Sequence, residues 1–256
     1  MLLTIDVGNT NLTLGLYKGQ ELDTHWRLAT DHERMPDEYG LQILGLLSHS
    51  ACSIDQLEGI SLSSVVPLLT GRVAQACRQY LKIEPLIISH ELNTGVKILY
   101  ENPAAVGTDR IADATAAVTR YGAPVIVVDF GTATTFNAIN RHKEYLGGAI
   151  APGILTAAQS LTQRAAKLAP VDLTIPPGPI GRNTPNALQS GLLFGYASMV
   201  DGMVIRFRSE LGEDAKVIAT GGLAETIAPL TTSFSIVDPW LTLDGLRMLW
   251  EMNPIK

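Results

Sequence analysis

The chain has 256 residues, 46% of them apolar, which is enough to bury a substantial core as one large domain or as two lobes. A net charge of -6 and a pI near 5.4 exclude a general basic field for a nucleic-acid backbone or an anionic membrane, so any phosphate must be held locally. The two cysteines, Cys52 and Cys77, have neither metal nor redox spacing and suit a reducing compartment. The apolar start meets Asp6 too early for a signal peptide, and no stretch reads as the ~18 to 20 apolar residues of a membrane helix, so the expectation is a cytoplasmic protein.

In chain order, an apolar run ends in Asp6-Val7-Gly8, and a second run over residues 12–17 leads to the turn Lys18-Gly19-Gln20. This spacing predicts a β-hairpin. Helix-like segments at 37–48 and 69–81 then alternate with strand-like runs at 60–66 and 86–89, followed by a helical run at 111–118. At 125–139 the first design returns: an apolar run ends in Asp129-Phe130-Gly131-Thr132, and a second run precedes the turn 140–143. Residues 154–168 and 186–211 read as helices, separated by a Pro/Gly-rich surface loop at 175–181. Thr184 is expected as N-cap with Pro185 in the first turn. Residues 217–220 read as a final buried strand closing on Gly221-Gly222, and 243–252 as an amphipathic helix. The pattern predicts an α/β chain with mixed sheets in two hairpin-led lobes, 1–115 and 116–256, with the boundary between 107 and 123.

An aspartate ending a buried strand, followed by glycine and small polar residues in a tight turn, suits a nucleotide phosphate and its metal. Gly8, Asn9, Thr10 and Asn11 offer amides and side-chain donors, and Asp6 can hold a hydrated Mg²⁺ between itself and the phosphates. Gly131 and Thr132 make a second cradle, with Asp129 holding a cation or its water. Neither turn is a Walker loop, since no Gly-Lys-Ser/Thr follows. Asp109 and Arg110 fall at a helix start, where Asp109 is either a cap or the base for an attacking hydroxyl and Arg110 a contact for substrate or phosphate. Gly181-Arg182-Asn183-Thr184 forms a polar cluster at another helix start, and Thr220-Gly221-Gly222 leaves room for a flat base or ribose. Gly191, Gly195, Ala197, Ser198 and Gly202 form a small-residue face on the long helix, read here as internal packing in preference to a dimer contact. The five histidines have no metal-ligand spacing.

Taken together, Asp6 to Asn11, Glu101 to Pro103, Gly107 to Arg110, Asp129 to Thr132, Gly147-Gly148 with Pro152-Gly153, Gly181 to Thr184 and Thr220 to Gly222 resemble, in order and spacing, the type III pantothenate kinase family along nearly the whole chain. The resemblance implies the duplicated ribonuclease-H-like fold of actin-like ATPases and sugar kinases, with ATP between the lobes and a homodimer that completes the pantothenate site. It implies ATP-dependent phosphorylation of pantothenate to 4'-phosphopantothenate, the first step of coenzyme A biosynthesis, with Mg²⁺ and a monovalent cation, K⁺ or NH₄⁺. By position, Asp6, Val7, Gly8, Asn9, Thr10, Asn11, Leu12 and Thr13 would hold ATP, with Thr132 adding a contact, and Asp129 would ligate the monovalent cation. Tyr100, Gly107, Thr108, Asp109, Arg110 and Thr184 would contact pantothenate, with Asp109 as proton acceptor. Asp113 departs from the family pattern, which more often has asparagine, and its charge is expected to raise the pKa of Asp109. A kinase for another small hydroxyl acceptor on the same fold, and a non-enzymatic regulator related to the Bvg accessory factor, are the rival readings. Nucleic acid and membrane are not expected as partners.

Overall fold

The computed structural model describes residues 1–50, 52–165 and 168–254. They form two compact units: Met1–Thr119 joined by the C-terminal segment from Leu241, and Arg120–Trp240.

In the first unit, β1 (Leu2–Val7), β2 (Asn11–Lys18) and β3 (Glu21–Ala29) form an antiparallel meander. The helix α1 (Pro36–His49) leads to β4 (Gly59–Ser64), parallel to β1, and α2 (Pro67–Ala76) with a π-helical turn leads to β5 (Leu86–Ile87). The sheet order is β3-β2-β1-β4-β5. A short strand β6 (Lys97–Ile98) and the helix α3 (Thr108–Tyr121) follow.

Period-two alternation gives this sheet two different faces. Leu3, Ile5 and Val7 of β1 and Leu12, Leu14 and Leu16 of β2 pack with Tyr39, Ile43 and Leu47 of α1 and Leu69 and Val73 of α2. The opposite face carries Thr4, Gly15, Gly59 and Ser61, small enough for the last helix, α7 (Leu241–Met252), to close on it. A side chain at Gly59 would lie 2.4 Å from Trp250, one at Gly15 3.0 Å from Leu243, and one at Gly245 2.1 Å from the Ala112 carbonyl of α3. Tyr17 adds a hydrogen bond to Asp244 at 2.8 Å. The sequence reading assigned this helix to the second half. Its packing against β1, β4 and α3 returns it to the first, and the chain passes between units at 119/120, within the predicted range of 107 to 123.

The second unit repeats the plan. Strands β7 (Val125–Phe130), β8 (Ala133–Ile139) and β9 (Glu144–Pro152) form a meander, then come α4 (Ile154–Arg164), α5 (Thr184–Leu211), β10 (Lys216–Thr220), α6 (Ala224–Ile227) and β11 (Ile236–Val237). Its strands run β9-β8-β7-β10-β11, with β10 parallel to β7 and β11 parallel to β10. This is the 3-2-1-4-5 order of the first unit, so the expected duplicated α/β fold is present. Leu192, Leu193, Ala197, Val200 and Val204 of α5 bury against Ile126, Val128 and Phe130 of β7.

Several local expectations change. Both hairpins are three-stranded, because β3 and β9 follow the two predicted turns. The strand at 217–220 is not the last. The helix predicted to 168 ends at Arg164, and residues 166 and 167 lie outside the described ones. Asn183, not Thr184, caps α5, its side chain accepting from Asn186 N at 2.8 Å. The expectation that no stretch is long and apolar enough for a membrane helix is corrected: among the described residues α5 is one helix that passes by length and composition. Its apolar stripe is occupied by the core just named. Its small-residue face is not internal as expected: Gly191 and Gly195 are exposed, and among the described residues nothing beyond the helix itself comes within 4 Å of where a side chain would stand.

Candidate active site

The first Asp-x-Gly turn connects Val7 to Leu12, which pair across β1 and β2. Asp6 is half-buried on the α7-facing side of β1, paired with Thr13 of β2 and with Ser63 of β4. Asn9, Thr10 and Asn11 are exposed, and Thr13 is half-buried. Val7 and Leu12 are fully buried in the core, so only their backbone is left to meet a ligand. The amide of Gly8, offered by the sequence as a phosphate donor, instead donates to Asn11 O at 2.9 Å and closes the turn.

Helix α3 begins at the carboxyl end of β4. The Thr108 hydroxyl lies 2.9 Å from Ser63 Oγ, accepts from Ser64 N at 3.1 Å and is 3.2 Å from Ser64 O. Ser63 is the register partner of Asp6, so this dock sets Asp109 at the same sheet edge and on the same face as Asp6. The Asp109 carboxylate accepts from Arg110 N at 2.7 Å, and Arg110 is buried. A side chain at Gly107 would stand 2.4 Å from Asp109 Oδ1, so glycine is what leaves the carboxylate its place. Burial pushes the Asp109 pKa above the ordinary carboxylate value, against the lowering effect of the Arg110 amide and guanidinium. Asp113 is not among the causes. Its carboxylate, one turn further and buried, accepts from Thr242 Oγ1 at 2.7 Å and is turned to α7. The expected effect of Asp113 on the base is thereby corrected. Tyr100 is exposed on the segment leading to α3.

In the second unit the turn between Phe130 and Thr134 is one residue shorter, and Gly131 N donates to Ala133 O at 3.0 Å. Thr132 is exposed at its tip. Gly153, the N-cap of α4, presses on this turn: a side chain there would lie 2.4 Å from Thr132 O and 2.5 Å from Gly131 O. Asp129 is paired with Thr135 on one side and Thr220 on the other, the counterparts of Thr13 and Ser63 around Asp6. Gly221, at φ 89°, leaves space for Asp129 Oδ1, which would be 2.3 Å from a side chain. The gap that the sequence suggested for a base or ribose is thus occupied at Gly221 by the protein itself. Thr184 is exposed on the first turn of α5, its hydroxyl not used as the cap.

Sequence reasoning missed Thr30, Ser63 and Thr156, which fix the turns and α3. Thr30 lies just past β3, and the alternation of Leu22, Thr24, Trp26 and Leu28 with charged neighbours was the signal for that strand.

The sequence pattern of type III pantothenate kinases matches residues 2–206. A relative from Thermomicrobium roseum bearing that name is 53% identical over 251 residues, 98% of this chain and 97% of its own. The chain belongs to the type III pantothenate kinase family. Its fold is shared by more distant structures. A Baf-family protein of Campylobacter jejuni, named as a transcriptional activator, superposes with a TM-score of 0.62 at 22% identity, covering 98% of both chains. Component A of (R)-2-hydroxyglutaryl-CoA dehydratase from Acidaminococcus fermentans gives 0.56 at 13% identity over 96% of this chain and 94% of its own. The polyphosphate/ATP-glucomannokinase of Arthrobacter sp. strain KM gives 0.51 at 14% over 96% of each. At these identities they bear on fold alone.

Proposed function

We propose that the chain transfers the γ-phosphate of ATP to the primary hydroxyl of pantothenate, giving 4'-phosphopantothenate and ADP for coenzyme A biosynthesis. The observation that carries this reading is the dock of Thr108 on Ser63 and Ser64. It holds a carboxylate with a raised pKa at the strand edge where the first phosphate turn opens. Asp109 accepts the hydroxyl proton as the oxygen attacks phosphorus and the bond to the β-phosphate breaks. A base of raised pKa is a better match to an alcohol donor than an ordinary carboxylate. Tyr100, Gly107, Thr108, Arg110 and Thr184 would contact pantothenate, and Arg110 would meet its negative charge. Residues Asp6 to Thr13 hold the ATP phosphates, with Thr132 as a second contact.

Among the described residues no three metal-ligating side chains cluster. A divalent ion would accordingly rest on Asp6 through water and on the nucleotide's own oxygens, the habit of Mg²⁺. Bound there, it neutralises phosphate charge. A monovalent ion, K⁺ or NH₄⁺, would sit beside Asp129, where the hydroxyl of its neighbour Thr220 is buried with no hydrogen-bond partner among the described residues and offers a further oxygen.

A homodimer is part of the proposal. The exposed face of α5, with Gly191, Gly195, Ser198 and Ile205, permits close approach of a second helix, and Leu155 and Leu161 of α4 are exposed as well. A cytoplasmic setting is supported by two buried free thiols, with Cys77 pushed up to about 12 by burial.

The test is an ATP-to-ADP assay with purified protein and Mg²⁺, with and without pantothenate, in potassium, ammonium or sodium buffer. Turnover that requires pantothenate and potassium or ammonium is expected. ATP binding without pantothenate-dependent turnover in any buffer overturns the reading.

A further inference from the structure

A turn that receives phosphate must keep its own carbonyl oxygens away from the anion, since each carries partial negative charge and a buried one needs a donor. In the first turn three of the four carbonyls are held by the protein. The Thr30 hydroxyl donates to Gly8 O at 2.7 Å, the Thr30 amide donates to Thr10 O at 2.9 Å, and Gly8 N takes Asn11 O at 2.9 Å. One residue at the end of β3 therefore holds two of the turn's negative poles, and its hydroxyl bond is half-buried.

The second turn reaches the same result with different residues. Thr132 O accepts from the Thr156 hydroxyl at 2.7 Å and from Gly153 N at 3.1 Å, while Gly131 N takes Ala133 O at 3.0 Å. Both phosphate turns of the duplicated fold are thus braced by a threonine hydroxyl on a carbonyl, one from the residue that follows β3 and one from the helix α4.

We propose that Thr30 is a positioning residue for nucleotide phosphate: it holds the Gly8 and Thr10 carbonyls back so that the exposed donors of Asn9 and Thr10 face the anion. This rests on the reading that the turn takes ATP. Thr30 acts through the turn and touches no substrate. Thr156 does the same for Thr132 with less consequence, because its bond is exposed and Gly153 N still serves the same oxygen.

The test compares Thr30→Val, which keeps the shape and removes the hydroxyl, with Thr30→Ser, which keeps the hydroxyl. ADP affinity is measured by calorimetry without acceptor, alongside KM for ATP and for pantothenate. Losing one hydrogen bond at a partly buried site predicts ADP affinity and KM for ATP weakened about three- to tenfold in Thr30→Val, with KM for pantothenate unchanged. Thr30→Ser restores wild-type values, and Thr156→Val weakens ADP less than Thr30→Val does. Wild-type ADP affinity in Thr30→Val, an equal rise in both KM values, or a folded Thr30→Ser as weak as valine overturns the proposal. Should Thr30→Val not fold, the serine result decides it. ADP binding needs no acceptor, so a failure of the pantothenate reading would show in the turnover assay and leave this comparison standing.

Discussion

Replacing Gly107 with alanine tests the role given to Asp109. The new methyl would lie 2.4 Å from Asp109 Oδ1, and carbon–oxygen contacts below 3.0 Å are essentially never made, so the carboxylate oxygen must retreat by at least 0.6 Å and by 1.0 Å to reach an ordinary 3.4 Å contact. The obstacle is the end of a side chain, and the nearest atom outside Asp109, Val65 Cγ1, is at a comfortable 3.5 Å. The backbone therefore stays, and alanine at an ordinary φ restricts the unfolded chain by about 0.4–1 kcal/mol, enough to offset the local disturbance. A misplacement of about 1 Å at a base costs on the order of 10- to 100-fold in rate, or roughly 1.4–2.7 kcal/mol of barrier. The expected result is kcat lowered by that factor in a coupled ADP-release assay, with KM for ATP and the melting temperature almost unchanged. Wild-type kcat in a folded Gly107→Ala protein would refute Asp109 as the base, and a collapse in melting temperature would refute the claim that only the carboxylate moves.

Asp109→Asn should cut turnover by about 10² to 10⁴ while leaving ADP binding intact. Its effect on stability has the opposite sign. Since the folded-state pKa is raised, native Asp109 prefers its proton, and the resulting stabilisation is present at acid pH and lost as pH rises through the folded pKa. A neutral amide in its place escapes that loss, so the variant should melt higher than wild type at neutral pH with the gap closing in acid, a comparison made by melting across pH. The acid limb of wild-type kcat/KM should lie above the ordinary aspartate value of 3.8. Gly245→Ala places a methyl 2.1 Å from the Ala112 carbonyl, and here the obstacle is main chain, so α7 must leave α3. A cost of about 1–3 kcal/mol follows, a fall of several degrees by calorimetry, and an unchanged melting temperature would contradict the tight packing of the two helices.

Much of the candidate site was legible because its signals are local. An apolar strand, an aspartate, a glycine and small polar residues occupy consecutive positions in both turns, and Asp109 follows a glycine at a helix start. The third strands were harder. Strand β3 is half-exposed and alternates Glu21, Asp23, His25 and Arg27 with its less polar residues, and β9 contains Gly147 and Gly148 beside a bulge, so neither presents an apolar run. Strand β11 pairs over only two residues, Ile236 and Val237, and has no signature of its own. Thr184 was misread as a cap because Asn183, an equally good one, stands directly before it.

The sequence by itself determined the family, the α/β class, the duplication and the two aspartate turns, since each depends on neighbours along the chain. Tertiary structure alone decided that the final helix belongs to the first unit, that Asp113 faces Thr242 and not Asp109, and that Thr30 and Thr156 reach back to brace their turns. These partners are separated in sequence by 22 residues for Thr30 and Gly8 and by 129 for Asp113 and Thr242. Such pairings follow from which glycines leave room for which side chains once the sheets have formed. Periodicity along the chain carries no record of them.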